Sequence, residues 1–170
     1  SPSVPVATLF LVLVRMLSAG TTCIGDCDET YNYWEPLHYL LYGFGFQTWE
    51  YAPQYALRSY AYLMPSYGVA KASQALLDML GYDNDKPQVW VAVRLFHVLL
   101  CAMCEASLYQ AVRARFGRHV GGFFILFSMM SGGMFVAAPA LLPSSSAMTL
   151  VMATYVFWSQ QKFMLAVRTL

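Results

Sequence analysis

The chain has 170 residues, of which 58% are hydrophobic and 11% charged, and its formal net charge is +1. A soluble domain carries roughly 25% charged residues, so too little polar surface remains here to cover a water-soluble globule. The mean hydropathy of +0.48 agrees, membrane lipids are the expected surroundings, and the lack of a basic cluster excludes a nucleic-acid partner.

Residues 4–20 form the first apolar run, at the short end for a spanning helix. Arg15 inside the run argues against a signal peptide and for a true span. Residues 21–87 are polar and aromatic. There Pro36, Leu37 to Tyr42 and Gly43 show the Pro-first, Gly-last asymmetry of a short helix, and Gly43-Phe44-Gly45 reads as a turn. A second short helix, or a helical entry to the membrane, is expected over 56–67 with Pro65 near its end. Val69, Ala72, Leu76, Leu77 and Leu80 recur at helical spacing, which predicts an amphipathic helix lying in the interface. Residues 81–87 read as a solvated turn.

The second span is expected over 89–112, interrupted by Arg94, His97 and Glu105. The third covers 117–138, with Gly121-Gly122 and Gly132-Gly133 permitting close helix contact. A Pro/Ser connector at 139–146 leads to a fourth span opening over 147–158, and 163–170 begins a fifth. With Ser1 at its start and an apolar stretch at its end, the chain reads as an N-terminal fragment of an all-α polytopic membrane protein. Arg113, Arg115 and Arg118 in one connector, with Lys162 two crossings further on, mark the cytosolic side. Segments 21–87 and 139–146 then lie opposite, in a lumen or outside the cell.

Two of the four cysteines, Cys101 and Cys104, lie inside an apolar span and read as small core thiols. Cys23 and Cys27 face an oxidising compartment if their loop is lumenal, where a disulfide can form. Glu105 sits deep in the second span with no cation one turn away. A buried pairing with a helix beyond this fragment is expected, with a proton or ion pathway as the functional alternative.

The chemistry concentrates in Asp26 to Tyr51. Asp26, Asp28 and Glu29 stand just beyond the first span and run into Tyr31, Tyr33, Trp34 and Glu35. Carboxylates at a water–lipid boundary can take a proton from a hydroxyl, and aromatic faces can hold a sugar ring. The combination points to glycosyl transfer on a lipid-linked substrate. Transfer from a phosphate-linked donor needs one carboxylate as base, since phosphate leaves without protonation. Asp28 is the first candidate, because a helix starting near it would favour its ionised form. Glu29 would orient Asp28 or bind acceptor hydroxyls, and Asp26, counted with the substrate-binding residues, could instead serve as a cap or a loop charge. The leaving phosphate needs positive charge, for which Arg58, His38 and Arg94 are candidates; Arg58 leads because its guanidinium offers two donors to one phosphate. Trp34 and Trp49 are the aromatics expected to touch a sugar or a polyprenyl chain, and Glu35 joins the substrate-binding set. No metal is inferred, because three close acids are not a coordination set without a fold.

Over Asp26 to Tyr62, DCDETYNYWEPLHYLLYGFGFQTWEYAPQYALRSYAY, the chain resembles the lumenal dolichyl-phosphomannose-dependent mannosyltransferases of glycosyltransferase family 22, nearest to their α-1,2 branch of asparagine-linked glycosylation. Looser agreement runs through Arg94, Cys101-Ala-Met-Cys104-Glu105, Phe116 to Val120 and Leu142-Pro143-Ser144-Ser145. The resemblance implies a GT-C membrane fold, of which the four spans and the fifth begun here would be the N-terminal part, and inverting transfer from dolichyl-phosphate-β-mannose to a lipid-linked oligosaccharide at the endoplasmic reticulum; no cofactor is expected. Asp28-Glu29 match the acidic half of the His-Pro-Asp-Glu-type motif of relatives, and Asp26-Cys27 stand at its His-Pro positions. Whether Asp28 or a neighbour is the base stays open at this level. An α-1,6 or GPI-anchor relative is the alternative within the family. A transporter or flippase using Arg94, His97 and Glu105 as a polar path is the alternative outside it, and a non-catalytic scaffold with a partner-binding loop is a third.

Overall fold

In a computed structural model, residues 2–82 and 86–169 are described, and every regular element among them is helical. They form two units. One is built from residues up to Thr22, from His97–Pro139 and from Pro143 onward; the other comprises Cys23–Phe96 with Ala140–Leu142.

The first unit begins with α1, Val4–Thr21, which has a proline in its first turn. Its buried positions Ala7, Leu11, Arg15, Ser18 and Ala19 recur at helical spacing, so one stripe faces inward. Ala7 and Leu11 pack with Ala106, Tyr109 and Ile125 of α5, Lys86–Met130. Arg15 and Glu105 are fully buried on this contact. Arg15 Nε donates to Glu105 Oε2 at 2.7 Å, Nη2 to Oε1 at 2.6 Å, and Nη2 also to the Ser128 carbonyl at 2.9 Å. The expected partner of Glu105 on a helix outside the chain is therefore corrected: its cation lies 90 positions earlier, on the first helix. No spacing rule joins residues so far apart.

Two glycines shape α5. Gly117 has φ 88° and ψ 173°, a left-handed value that breaks the helix there. Beyond it the chain folds back on itself: a Cβ added at Gly121 would lie 3.0 Å from Cβ of Arg113 and 3.3 Å from the Tyr109 ring. The close approach foreseen at Gly121 is thus observed, whereas Gly132 has open space around it. The helical stretch expected over 117–138 is interrupted once more at Ser131, whose side chain accepts from Met134 N and caps α6, Gly132–Ala137. Helix α7, Pro143–Ser159, starts before the expected residue 147, since proline fits a first helical turn. Gln161, with φ 58°, turns the chain so that α8, Phe163–Arg168, packs back on α7, bringing the Thr154 and Thr169 hydroxyls to 2.8 Å. Among the described helices, α1 and α5 are long and apolar enough to cross a membrane.

The second unit holds a continuous helical run: α2, Cys27–Glu29, a π-helical turn at Thr30–Trp34, and α3, Glu35–Tyr42. It ends as predicted, with Gly43 at φ 76° closing the helix in the left-handed conformation. Of the short helix or helical entry expected over 56–67, residues 60–67 are helical and run on into the next helix, whereas 56–59 are not. Ala56 turns the chain at φ 46°, Leu57 N and Arg58 N donate to the Glu50 carbonyl, and a short 3₁₀ turn spans Tyr60–Leu63. Pro65 then opens α4, Met64–Met79, instead of closing a helix, because its missing N–H costs nothing in a first turn. The amphipathic helix expected over 69–80 is the body of α4; Val69, Ala70 and Leu77 face the core while Leu76 and Leu80 are exposed. Residues 83–85 of the expected turn lie outside the described residues. The core itself is Tyr33, Leu37, Leu63, Ala70, Val89, Val93 and Leu141.

Candidate functional site

The acidic cluster is sorted by the first helical turn. Asp28 N donates to Asp26 Oδ1 at 2.9 Å, so Asp26 is the N-cap, one of the two roles its sequence position allowed. Glu29 turns inward and is 5% exposed. The π turn adds a residue to the helical repeat, which brings Trp34 over Glu29: Trp34 Nε1 donates to Glu29 Oε1 at 2.9 Å. Leu141 N donates to the same oxygen at 2.9 Å, tying the 140–142 segment to the acidic turn. Asp28 stays exposed. Its Oδ1 accepts from Asn32 Nδ2, one turn on, at 3.2 Å. Two adjacent acids thus have different work: Glu29 is a buried clamp, and Asp28 is open to a ligand. Truncation of Glu29 to Ala would strand two N–H donors in the interior. At about 1–3 kcal/mol for each unsatisfied group, we expect a loss of roughly 2–6 kcal/mol, read as a lowered Tm in detergent.

Asp28 lines a cavity of about 370 Å³ with Tyr31, Asn32, Thr48, Trp49 and Glu50 among its walls. This falls at the lower end of volumes that hold small molecules, about 300–1,000 Å³. Trp49 is 60% exposed and is braced edge-on by Tyr55 at 5.2 Å between ring centres. Glu50 is neutralised by Arg58, whose Nε donates to Glu50 Oε2 at 2.6 Å and whose Nη1 donates to the Tyr33 hydroxyl. That hydrogen bond to Glu50 holds the Arg58 guanidinium further above its already high pKa. Tyr51 donates its hydroxyl to the Asn32 carbonyl at 2.6 Å; burial, with Tyr33 nearby, pushes its phenol up to about 12, so it remains a donor at neutral pH.

A second cavity, about 440 Å³ and mostly apolar, is lined by Trp34, Glu35, His38, Tyr42, Lys86 and Trp90, among others. Glu35 Oε2 accepts from Phe46 N at 3.2 Å. His38 places Nδ1 3.0 Å from the Phe44 carbonyl and Nε2 3.3 Å from Lys86 Nζ, a pair satisfied by the neutral ring protonated on Nδ1. Lys86 Nζ lies over the Tyr42 and Phe44 rings at 4.5 and 4.8 Å. Arg94 is buried and stacks over Trp90 at 4.5 Å.

The predicted residues therefore divide. Asp28 and Trp49 share one cavity, and Arg58 joins its wall through Glu50. Trp34, Glu35 and His38 share the other, with Arg94 beside Trp90. Asn32, Thr48, Glu50 and Lys86 escaped the sequence reading. Asn32 alone left a signal there, its i+4 spacing from Asp28 in a helix. Cys23 and Cys27 are exposed and unbridged. Among the described residues no three His, Cys, Asp or Glu side chains gather into a metal-ligand set.

The model of the Alg9-like mannosyltransferase family matches residues 6–169. The chain is 40% identical to the alpha-1,2-mannosyltransferase Alg9 of Drosophila melanogaster, over 98% of this chain and 26% of that protein. It is 41% identical to the human alpha-1,2-mannosyltransferase ALG9 over 92% of this chain and 25% of that protein. Against the Saccharomyces cerevisiae alpha-1,2-mannosyltransferase ALG9 the identity is 36%, over 84% of this chain and 25% of that protein. The chain thus spans about a quarter of the length of these relatives. No solved structure matches it.

Proposed function

The chain belongs to the Alg9-like mannosyltransferase family, and from that membership we propose that its parent protein transfers mannose, with inversion, from dolichyl-phosphate-β-mannose to the 2-hydroxyl of a lipid-linked oligosaccharide in protein N-glycosylation. The observation that carries the reading to these residues is the exposed Asp28 at a cavity shared with Trp49, beside a buried Glu29 whose Oε1 accepts from both Trp34 and Leu141. Asp28 takes the proton of the attacking hydroxyl as that oxygen bonds to the anomeric carbon from the face opposite the phosphate. The bond from that carbon to the phosphate oxygen breaks, and dolichyl phosphate leaves with its electron pair. Asn32, donating to Oδ1, holds the Asp28 carboxylate in position at the cavity. Glu29 holds the turn that presents Asp28, and Asp26 caps it.

The developing phosphate charge is assigned to Arg58, which is part-exposed while bound to Glu50. The apolar cavity at Trp34, Glu35 and His38 suits an isoprenoid chain, with Lys86 and Arg94 as further cations near it. The reaction as written draws on a base and cations, so no cofactor enters it. Four spans in a GT-C fold, with residues 21–87 on the lumenal side of the endoplasmic reticulum membrane, complete the reading. The arginines of 113–118 support that orientation. The transporter alternative loses its deepest charge, since Glu105 is neutralised by Arg15.

The test is transfer by the full-length protein in microsomes, given dolichyl-phosphomannose and a truncated lipid-linked oligosaccharide. We expect one added mannose, removed by an α-1,2-specific mannosidase. A well-folded protein that adds none would sink the reading, and a mannosidase-resistant product would move it to another linkage.

A further inference from the structure

We propose that Asn32 and Thr48 read the hydroxyl adjacent to the nucleophile on the acceptor sugar, an inference that rests on the transferase reading above. Both residues line the cavity that contains Asp28 and Trp49. Asn32 is 5% exposed, and its Oδ1 has no hydrogen-bond partner among the described residues; the same holds for the buried Oγ1 of Thr48. Folded proteins leave few buried polar atoms unpaired, and two on residues that line one cavity point to a site completed by what it binds.

The chemistry of that ligand follows from the partners already in place. The Asn32 amide is not free to flip, because its nitrogen donates to Asp28 Oδ1 at 3.2 Å and a flip would set two oxygens against each other. Its unpaired atom is therefore an acceptor, and it demands a donor. The residue is also held from behind, where Tyr51 donates to its carbonyl at 2.6 Å. Asp28 in the same wall disfavours an anion, and Glu50 is already neutralised by Arg58. A neutral ligand rich in hydroxyls meets these conditions, and the exposed Trp49 face suits the C–H side of a sugar ring. In transfer to a 2-hydroxyl, C1 of the acceptor residue is committed to its glycosidic bond. The neighbouring free hydroxyl is on C3. With the 2-hydroxyl on Asp28, the 3-hydroxyl donates to Asn32 Oδ1 and accepts from the Thr48 hydroxyl.

The experiment compares two synthetic lipid-linked acceptors, with the terminal mannose intact or 3-deoxy, on the full-length enzyme in microsomes. Wild type, Asn32→Ala and Thr48→Val are measured as the ratio of kcat/KM for intact over deoxy acceptor. We expect wild type to prefer the intact acceptor by at least about 100-fold, and each variant to fall within about tenfold of parity. A merely structural role would slow both acceptors alike and leave the ratio at its wild-type value; that result overturns the proposal. So does a wild type indifferent to the 3-hydroxyl, as expected if water alone completes the two atoms. Thr48→Val, nearly isosteric, decides the matter if Asn32→Ala does not fold. Wild type that transfers mannose with an unchanged ratio in the variants sinks this inference alone, whereas wild type that transfers none sinks the transferase reading with it.

Discussion

Replacing Asp28 by Asn in the full-length protein should lower kcat for mannose transfer by about 10²–10⁴-fold while leaving the fold intact, because a general base contributes about that factor. The substitution is nearly isosteric. The oxygen of the introduced amide can still accept from Asn32, and the backbone N–H that Asp26 caps is unchanged. What disappears is the group that can hold the acceptor's proton. Glu29→Gln is the informative comparison. Its Oε1 can still accept from Trp34 and Leu141, so transfer should fall far less than in Asp28→Asn. Single-turnover rates in microsomes, with protein level matched, separate the two. If Asp28→Asn retained near-normal transfer, the base would lie elsewhere, and an equally large loss in Glu29→Gln would point to Glu29.

The second large effect concerns stability. Glu105→Ala should destabilise the protein by about 3–5 kcal/mol, the usual cost of leaving one member of a buried ion pair alone. Both side chains are fully buried, and Arg15 already carries one unpaired nitrogen, Nη1, among the described residues. Loss of Glu105 would leave the guanidinium with the Ser128 carbonyl as its remaining partner among them. The double variant Arg15→Ala/Glu105→Ala should recover much of the loss, since no charge then stays unpaired. A Tm series in detergent over the two single variants and the double measures the coupling. If the double variant is as unstable as the sum of the singles, the pair does not act as one unit.

How far the chain can be read without its structure depends on the range of each interaction. The helix at Glu35–Tyr42 is legible because Pro36 and Gly43 act on their own turns, through a fixed φ and a left-handed cap. Pro65 falls on the opposite side of a helix boundary from the one its spacing suggests. Upstream of it Leu57 N and Arg58 N are held by the Glu50 carbonyl, and a 3₁₀ turn at Tyr60–Leu63 leads into the proline. Asp28 and Glu29 stand out together, and no local rule ranks them. Their difference comes from Leu141, 112 positions from Glu29, which binds one acid and leaves the other exposed.

The same limit divides the aromatics and the charges. Trp34 and Trp49 carry equal promise as a pattern, but the π turn commits the Trp34 indole N–H to Glu29, while Trp49 stands open at the cavity with Asp28. Composition is enough for the membrane-borne class, because so few charged residues cannot cover a soluble surface. A run of residues dense enough to match end to end is enough for the family. Which carboxylate is open, which cavity each tryptophan serves, and that Glu105 answers Arg15 emerge only from the folded chain. Composition and caps act within a turn of helix, whereas pairing and burial are settled between segments that meet only once the chain has folded.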